Sequence, residues 1–256
     1  MCAAAGSEIA NSSWNQSNLA RLRALDKDAV AGFLNQWSGN MVEPLVASGI
    51  QEFEWTDLAS DGRYELLVVT ATGSCCVDLT IYSQDAAGKV TSQILEGSGK
   101  LSETVRDLNG DGKDELVIWT DLAEKGSWMP MAETPRWPAV YRLADGKYIE
   151  ASREFADFYD TEILPKLEVE ISKAPTQEAS AELILQKNKI LRVLGRDPSA
   201  GLKQAFDWTS SGDPQLLQCA IATFRDVGNH EKELREAQQA LPIAIKSEMA
   251  ARAEKN

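Results

Sequence analysis

One nine-residue phrase occurs twice in the chain, and this repetition constrains the fold more than any other feature of the sequence. The second copy, DLNGDGKDE at 107–115, is followed at once by the apolar run LVIW at 116–119. The first copy, DLASDGRYE at 57–65, is followed by LLVV at 66–69, and the two copies begin 50 positions apart. A phrase repeated at such a period indicates one supersecondary unit used twice. Each copy predicts an acidic loop that leads into a β-strand.

The second loop carries the oxygen donors that calcium prefers. Calcium takes six to eight oxygen ligands, and alternate residues of a tight loop direct several oxygens at one centre. The spacing differs from an EF-hand, whose twelfth position is a bidentate acid, because here that position falls inside the apolar run. An ordinary turn without a metal remains the alternative. The predicted ligand set is Asp107, Asn109, Asp111, Glu115 and the carbonyl of Lys113.

The first loop keeps only part of this pattern. Its third position is Ala59, which offers no side-chain oxygen where the second loop has an asparagine. Ligand number largely decides calcium affinity, so we expect this loop to bind weakly or not at all. The corresponding weaker ligand set is Asp57, Asp61, Glu65 and the carbonyl of Arg63.

Both loops resemble the calcium-loop half of the FG-GAP repeat. This repeat is the blade unit of integrin α-subunit propellers, and it occurs with the related VCBS repeats in many bacterial extracytoplasmic proteins. The resemblance implies propeller-like blades braced by calcium. A Phe-Gly or Gly-Ala-Pro signature is missing near either loop, and two copies are fewer than the four to eight blades of a closed propeller. The matching residues are Asp107, Asn109, Asp111, Gly112 and Glu115, and in the first copy Asp57, Asp61, Gly62 and Glu65.

Strand and turn signals around the two loops predict two groups of four strands. Glycine-containing turns separate the strands, and Asp145-Gly146 is a strong hairpin signal. The predicted fold class is therefore α+β, with two four-stranded antiparallel, propeller-blade-like meanders that form an incomplete propeller over 51–95 and 101–152. The predicted strands are 52–56, 64–71, 76–82 and 89–95, then 104–107, 115–120, 139–143 and 147–151.

Helical periodicity flanks the two meanders. Residues 26–47 place Val30, Phe33 and Leu34 on one face, with Asp26 or Asp28 as the capping residue. After residue 152 the strand signals stop, and the remainder reads as helices, including one over about 177–194. This C-terminal region is expected either to pack on the sheets or to serve protein interaction. The predicted organisation is a flexible tether over 1–20, the helix and repeats over 21–152, and the helical region over 153–256.

The N-terminus predicts a lipid anchor. Cys2 follows only Met1 and precedes small and polar residues, as in a mature bacterial lipoprotein whose signal sequence has been replaced by a methionine. We therefore expect an extracytoplasmic location at the periplasm or cell surface, with membrane attachment only through Cys2. The alternative is an accidental cysteine at a disordered terminus. The other three cysteines read as buried thiols, and their pairing stays open.

An aromatic insertion interrupts the second meander at about 121–138. It contains Trp128 and Trp137 among several prolines and methionines. Exposed aromatic residues on long loops often bind ligands, so these two tryptophans are candidate ligand-binding residues. In the alternative interpretation they cover an open sheet edge, which two blades of an incomplete propeller leave behind.

Composition and motifs exclude several classes of function. A net charge of −13 and a pI near 4.6 argue against nucleic-acid and anionic-membrane partners. The chain has a single histidine, His230, and lacks Gly-x-Ser-x-Gly, phosphate-loop and zincin motifs, so we expect no catalysis.

Two hypotheses of different class follow. The first is a non-catalytic, calcium-stabilised extracytoplasmic protein with a binding or scaffolding role toward an unknown protein or glycan partner. The second is a carbohydrate-binding or glycan-processing accessory protein that uses the aromatic insertion. A homodimer that completes the propeller is compatible with either hypothesis.

Overall fold

The structure is a computed structural model that describes residues 13–38, 49–72, 76–97, 99–121, 136–175 and 177–196. The chain divides into two compact units. The first comprises Met1–Thr120 with Pro138–Ala151, and the second comprises Asp121–Trp137 with Ser152–Asn256. The predictions for Cys2, for Trp128, for the segment 39–47 and for helices beyond residue 196 lie outside the described residues.

Two four-stranded antiparallel sheets form the β structure, each a meander in chain order. This confirms the predicted α+β class and the two groups of four strands. The main differences in extent are a two-residue β5 and an earlier start of β7. The strands of sheet 1 are β1 (Ile50–Thr56), β2 (Glu65–Thr72), β3 (Cys76–Gln84) and β4 (Val90–Glu96). Those of sheet 2 are β5 (Val105–Arg106), β6 (Glu115–Asp121), β7 (Arg136–Ala144) and β8 (Lys147–Glu150).

Strand β2 shows why the first loop is followed by an unbroken apolar run. Successive side chains of a strand point to opposite faces. Leu66 and Val68 belong to a core shared with the N-terminal helices, whereas Leu67 and Val69 belong to a core shared with sheet 2. All four side chains are buried. Sheet 1 is therefore covered on both faces, which requires apolar residues at consecutive positions.

The N-terminal segment packs on sheet 1 through helices α1 (Leu19–Arg23) and α2 (Lys27–Ser38). Trp14 is 2% exposed, and its ring makes edge contacts with Phe33 and Trp55 at centroid distances of 5.8 and 5.0 Å. The side chain of Asp26 accepts the Ala29 N–H at 2.9 Å, as predicted for a capping residue. The tether predicted over 1–20 is therefore too long, because residues from Trp14 onward contribute to the core.

The faces of the two sheets that lie toward each other share one apolar core. Leu79 and Ile81 of sheet 1 cluster there with Leu116 and Ile118 of sheet 2. The side chain of Gln93 on β4 also joins the sheets, because its amide donates to the Tyr148 carbonyl at 2.6 Å and accepts the Tyr148 N–H at 2.8 Å. This packing, together with the short helix α3 (Leu101–Thr104) between the sheets in sequence, holds the two acidic loops in one unit.

The second unit is helical over its described residues after 151. A 3-10 turn at Ser152–Phe155 leads into α4 (Ala156–Phe158), a π-helical turn at Tyr159–Ile163, α5 (Leu164–Lys173) and α6 (Gln177–Val193). An ion pair between Lys187 and Glu168 links α6 to α5. None of the helices in the described ranges combines the length and the apolar character needed to cross a membrane.

Candidate metal centre

The loop at 107–115 is closed by hydrogen bonds from its own backbone to its acidic and amide side chains. The carboxylate of Asp107 accepts the Gly110 N–H at 2.7 Å through Oδ1 and the Gly112 N–H at 3.0 Å through Oδ2. The Asp111 Oδ1 accepts the Lys113 N–H at 2.8 Å. The Asn109 side chain lies between these groups, accepting the Asp111 N–H at 2.9 Å. The three predicted side-chain ligands at alternate positions therefore all face the loop backbone.

The loop at 57–65 repeats most of this arrangement, although one of the two N–H groups that its first aspartate accepts is shifted by one position. The carboxylate of Asp57 accepts the Asp61 N–H at 3.0 Å and the Gly62 N–H at 2.9 Å, and Asp61 accepts the Arg63 N–H at 3.0 Å. The phrase shared by the two copies thus specifies one loop conformation, whether or not every ligand position is kept.

Backbone angles match at two equivalent positions. Gly62 and Gly112 have φ of +81° and +83°, in the left-handed region that glycine tolerates without a steric cost. Two positions earlier the backbone is left-handed again in both loops, with φ of +52° at Ser60 and +75° at Gly110. The first loop therefore holds a serine in a conformation that its repeat partner assigns to glycine.

The glutamate that ends each loop is turned inward. Glu65 Oε2 accepts the Leu58 N–H at 3.1 Å, and Glu115 Oε2 accepts the Leu108 N–H at 2.9 Å. Burial, followed by repulsion from Asp61 and Asp57, raises the pKa of Glu65 to about 7 against the Leu58 hydrogen bond, which lowers it. Burial likewise raises the pKa of Glu115. Both carboxylates sit where a nearby cation would favour the ionised form.

The two loops differ in what balances their negative charge. In the first loop the Arg63 guanidinium binds Asp61 Oδ2, with Nε at 3.0 Å, and this hydrogen bond lowers the pKa of Asp61. In the second loop the ammonium of Lys113 makes no ion pair with any described residue, and the Asn109 amide donates to Asp111 Oδ2 at 3.2 Å. The first loop therefore pairs an aspartate with its own cation, whereas the cation of the second loop, Lys113, pairs with no described residue.

The loops also contact each other directly, which the sequence did not predict. The hydroxyl of Ser60 donates to the Gly112 carbonyl, and the Asp114 N–H donates to the Leu58 carbonyl at 2.9 Å. The eighth residue of the first loop, Tyr64, makes the corresponding bond to the Trp14 carbonyl at 2.8 Å. Each loop thus docks on the preceding part of the chain through its eighth amide. The only sequence signal for this contact was Ser60, which stands where the second loop has Gly110.

A buried hydroxyl lies beside the ends of both loops. Tyr148 is 5% exposed, and its hydroxyl has no hydrogen-bond partner among the described residues. Burial raises its pKa, and the negative charges of Glu65, Asp114 and Glu115 raise it further. Both terminal glutamates of the repeat therefore act electrostatically on this one hydroxyl.

The side chains of the second loop offer oxygen donors, which are the ligands that a hard cation prefers. Asp107, Asn109 and Asp111 are exposed oxygen donors, and an oxygen that accepts one N–H keeps a second lone pair for an ion. Within the described ranges, no group of three or more histidine, cysteine, aspartate or glutamate side chains converges closely enough to hold a metal. In this conformation the carboxylates accept hydrogen bonds from the loop's own N–H groups.

The predicted aromatic ligand site is only partly described. Trp137 lies on β7 with 5% exposure, and the ammonium of Lys189 sits 5.4 Å from its ring centroid. A buried ring of this kind offers no face for a sugar to stack on in this conformation, and the ligand-binding role of Trp137 stays a prediction. Trp128 and Cys2 lie outside the described residues, and no geometry is assigned to them.

No protein-family model matches the chain, and neither a curated protein nor a solved structure matches it.

Proposed function

We propose that the protein binds one calcium ion at loop 107–115 and that this ion is structural. The observation that carries the proposal is the contrast between two loops of similar conformation. Only the second has a full set of oxygen ligands and, among the described residues, no ion pair within the loop. Asp107, Asn109, Asp111, Glu115 and the Lys113 carbonyl would hold the ion. Its charge would neutralise a cluster that otherwise repels itself.

The ion would act on stability rather than on a reaction. The loop joins β5 to β6, and a cation bound only by the folded protein raises the free energy of unfolding in proportion to RT ln(1 + [Ca²⁺]/Kd). The loops of extracellular calcium modules bind in the range of about 10⁻⁴–10⁻³ M, which suits an extracytoplasmic location. We accordingly propose a propeller-blade-like binding or scaffolding protein of a bacterial envelope, lipid-anchored through Cys2.

Thermal unfolding in excess calcium and in chelator tests the calcium site. At a calcium concentration of one hundred times Kd, wild type should gain about 2.7 kcal/mol, or roughly 5–10 °C in Tm. Asp107→Ala should lose this gain. Asp57→Ala is the matched control, because it also removes an aspartate that accepts two backbone N–H groups, here those of Asp61 and Gly62 in the first loop. It should lower the Tm in chelator and keep the calcium response.

Three results would count against this assignment. An equal wild-type Tm in calcium and in chelator would mean that no calcium ion stabilises the protein. A calcium response retained by Asp107→Ala and lost by Asp57→Ala would move the ion to the first loop. An equal response to magnesium would argue against a flexible oxygen-rich calcium site, since magnesium demands near-octahedral geometry and retains its waters.

A further inference from the structure

The backbone of Ser60 provides the first observation. Its φ of +52° lies in the left-handed region, which residues other than glycine seldom adopt, and the equivalent residue of the second loop is Gly110. Residues held in such conformations persist where the surrounding structure requires them, and they often have a functional reason. Here the reason is visible in what the serine hydroxyl contacts.

The hydroxyl of Ser60 holds a peptide group of the other loop. It donates to the Gly112 carbonyl, while the N–H of the same peptide group, which belongs to Lys113, donates to Asp111 Oδ1 at 2.8 Å. The peptide plane between Gly112 and Lys113 is therefore fixed at both of its polar ends. Rotation of this plane would change the direction of the peptide groups that follow it in the loop.

The next peptide group is held by the first loop as well. Its N–H, which belongs to Asp114, donates to the Leu58 carbonyl at 2.9 Å. Its carbonyl is that of Lys113, the main-chain ligand in the proposed calcium set. In a planar trans peptide the C=O and N–H point in opposite directions. Anchoring the Asp114 N–H on Leu58 therefore aims the Lys113 carbonyl away from the first loop.

The first loop maintains its own shape without an ion. Asp57 accepts two amides of the loop, and the Arg63 guanidinium neutralises Asp61. The third position is Ala59, where the second loop supplies a side-chain oxygen. Its polar groups are thus committed to internal bonds, while the Ser60 hydroxyl and the Leu58 carbonyl face the second loop.

We propose that loop 57–65 serves as a brace that aims the Lys113 carbonyl of loop 107–115 at a bound cation, with Ser60 as the positioning residue. The part of this proposal that concerns the cation rests on the calcium site proposed above. The two copies of the repeat then have different roles. Loop 107–115 binds the ion, and loop 57–65 positions one of its ligands. Ser60 acts through a backbone carbonyl and does not touch the ion.

Calcium titration calorimetry on two Ser60 variants tests the brace. Ser60→Ala removes the hydroxyl and keeps a side chain at positive φ, whereas Ser60→Gly removes the hydroxyl and relieves the backbone. Loss of a residue that orients a metal ligand weakens metal binding roughly 10–100-fold, so both variants should weaken calcium binding about tenfold or more. Ser92→Ala is the control, an exposed serine of the same unit without a bond to either loop. It should bind calcium as wild type does.

Amide hydrogen exchange in chelator provides a second measurement that requires no ion. In Ser60→Gly and Ser60→Ala the Asp114 amide should exchange at least several-fold faster than in wild type and in Ser92→Ala. Wild-type calcium affinity in both Ser60 variants would overturn the brace. If wild type itself binds no calcium, the calcium function fails, and the exchange rate alone decides: unchanged Asp114 protection would overturn the brace, and faster exchange would retain it as a brace of loop shape.

Discussion

The loops at 57–65 and 107–115 share a conformation but balance their charge in different ways. Both close on an aspartate that accepts two backbone amides, and both end in a glutamate that accepts the second residue's N–H. The first loop has an alanine at position three and an internal Asp61–Arg63 ion pair. The second has Asn109 and a Lys113 that forms no ion pair with the part of the chain that the structure describes.

This difference separates two properties that a calcium motif combines. Hydrogen bonds between side chains and backbone specify the turn, and they are present also in the copy that lacks a side-chain oxygen at its third position. Ion binding needs, in addition, enough oxygen donors and charge that is not already balanced. A repeat of this kind can therefore lose its ion without losing its place in the fold.

The largest change in the free energy of unfolding is expected from the ionisation of Glu65 as the pH rises. Its folded pKa of about 7 lies above the ordinary value of 4.5, so the stability contributed by its protonated form is complete below pH 4.5 and is lost as the pH rises through 7. Glu65→Gln keeps an acceptor for the Leu58 N–H and removes the buried charge. In chelator at pH 8 it should be more stable than wild type by up to about 3 kcal/mol.

Urea unfolding from pH 4.5 to 8 measures this difference, which should vanish at the acid end. Glu115→Gln sharpens the comparison, because the pKa of Glu115 is raised as well. In calcium, Glu115→Gln should lose the stabilisation by the ion, and Glu65→Gln should keep it. A pH-independent difference between Glu65→Gln and wild type would show that Glu65 ionises as freely as a solvated carboxylate.

Restoring the missing ligand should convert the first loop into an ion site. The double variant Ala59→Asn, Arg63→Lys reproduces positions three and seven of the second loop. It should bind two calcium ions, and at ten times the Kd of the new site the extra ion adds about 1.4 kcal/mol of stability. Calorimetric stoichiometry is the measurement, with Arg63→Lys alone as the control. A stoichiometry that stays at one would mean that docking on the second loop prevents ligation.

Removing the buried hydroxyl beside both loops should stabilise the protein slightly. The Tyr148 hydroxyl has no hydrogen-bond partner among the described residues, and leaving such a group buried costs about 1–3 kcal/mol. In chelator, Tyr148→Phe should therefore raise the free energy of unfolding by about 1 kcal/mol, as measured by urea denaturation. Tyr141→Phe, a half-buried tyrosine of the same sheet, is the control. A loss of stability in Tyr148→Phe would indicate that the hydroxyl donates to a carboxylate in solution.

The smallest effect is expected at the internal ion pair of the first loop. Arg63 and Asp61 are 55% and 36% exposed, and ion pairs between exposed side chains contribute about 0–1 kcal/mol. Arg63→Gln should change the free energy of unfolding in chelator by less than about 0.5 kcal/mol. A larger loss would mean that the guanidinium replaces the ion energetically as well as geometrically.

Sequence patterns predicted the local structure of the β region well. The repeated phrase located both loops, and the turn residues between apolar runs located the strands that the structure contains. These signals are short-range, since the glycine at position six and the aspartate at position one act within the loop itself. The same reasoning misjudged Trp14, whose burial depends on segments that are distant in sequence, and it left the burial of Trp137 open.

The sequence by itself determined where the loops, most of the strands and the helix after Asp26 begin, because turn chemistry and alternation act over a few residues. Only the tertiary structure placed Ser60 against Gly112 and Leu58 against Asp114, since these contacts span more than fifty positions of chain. It also decided the raised pKa of Glu65, whose largest cause is burial, with further contributions from Asp61 and Asp57. The phrase that occurs twice thus encodes one turn, and packing between the copies gives each turn a different environment.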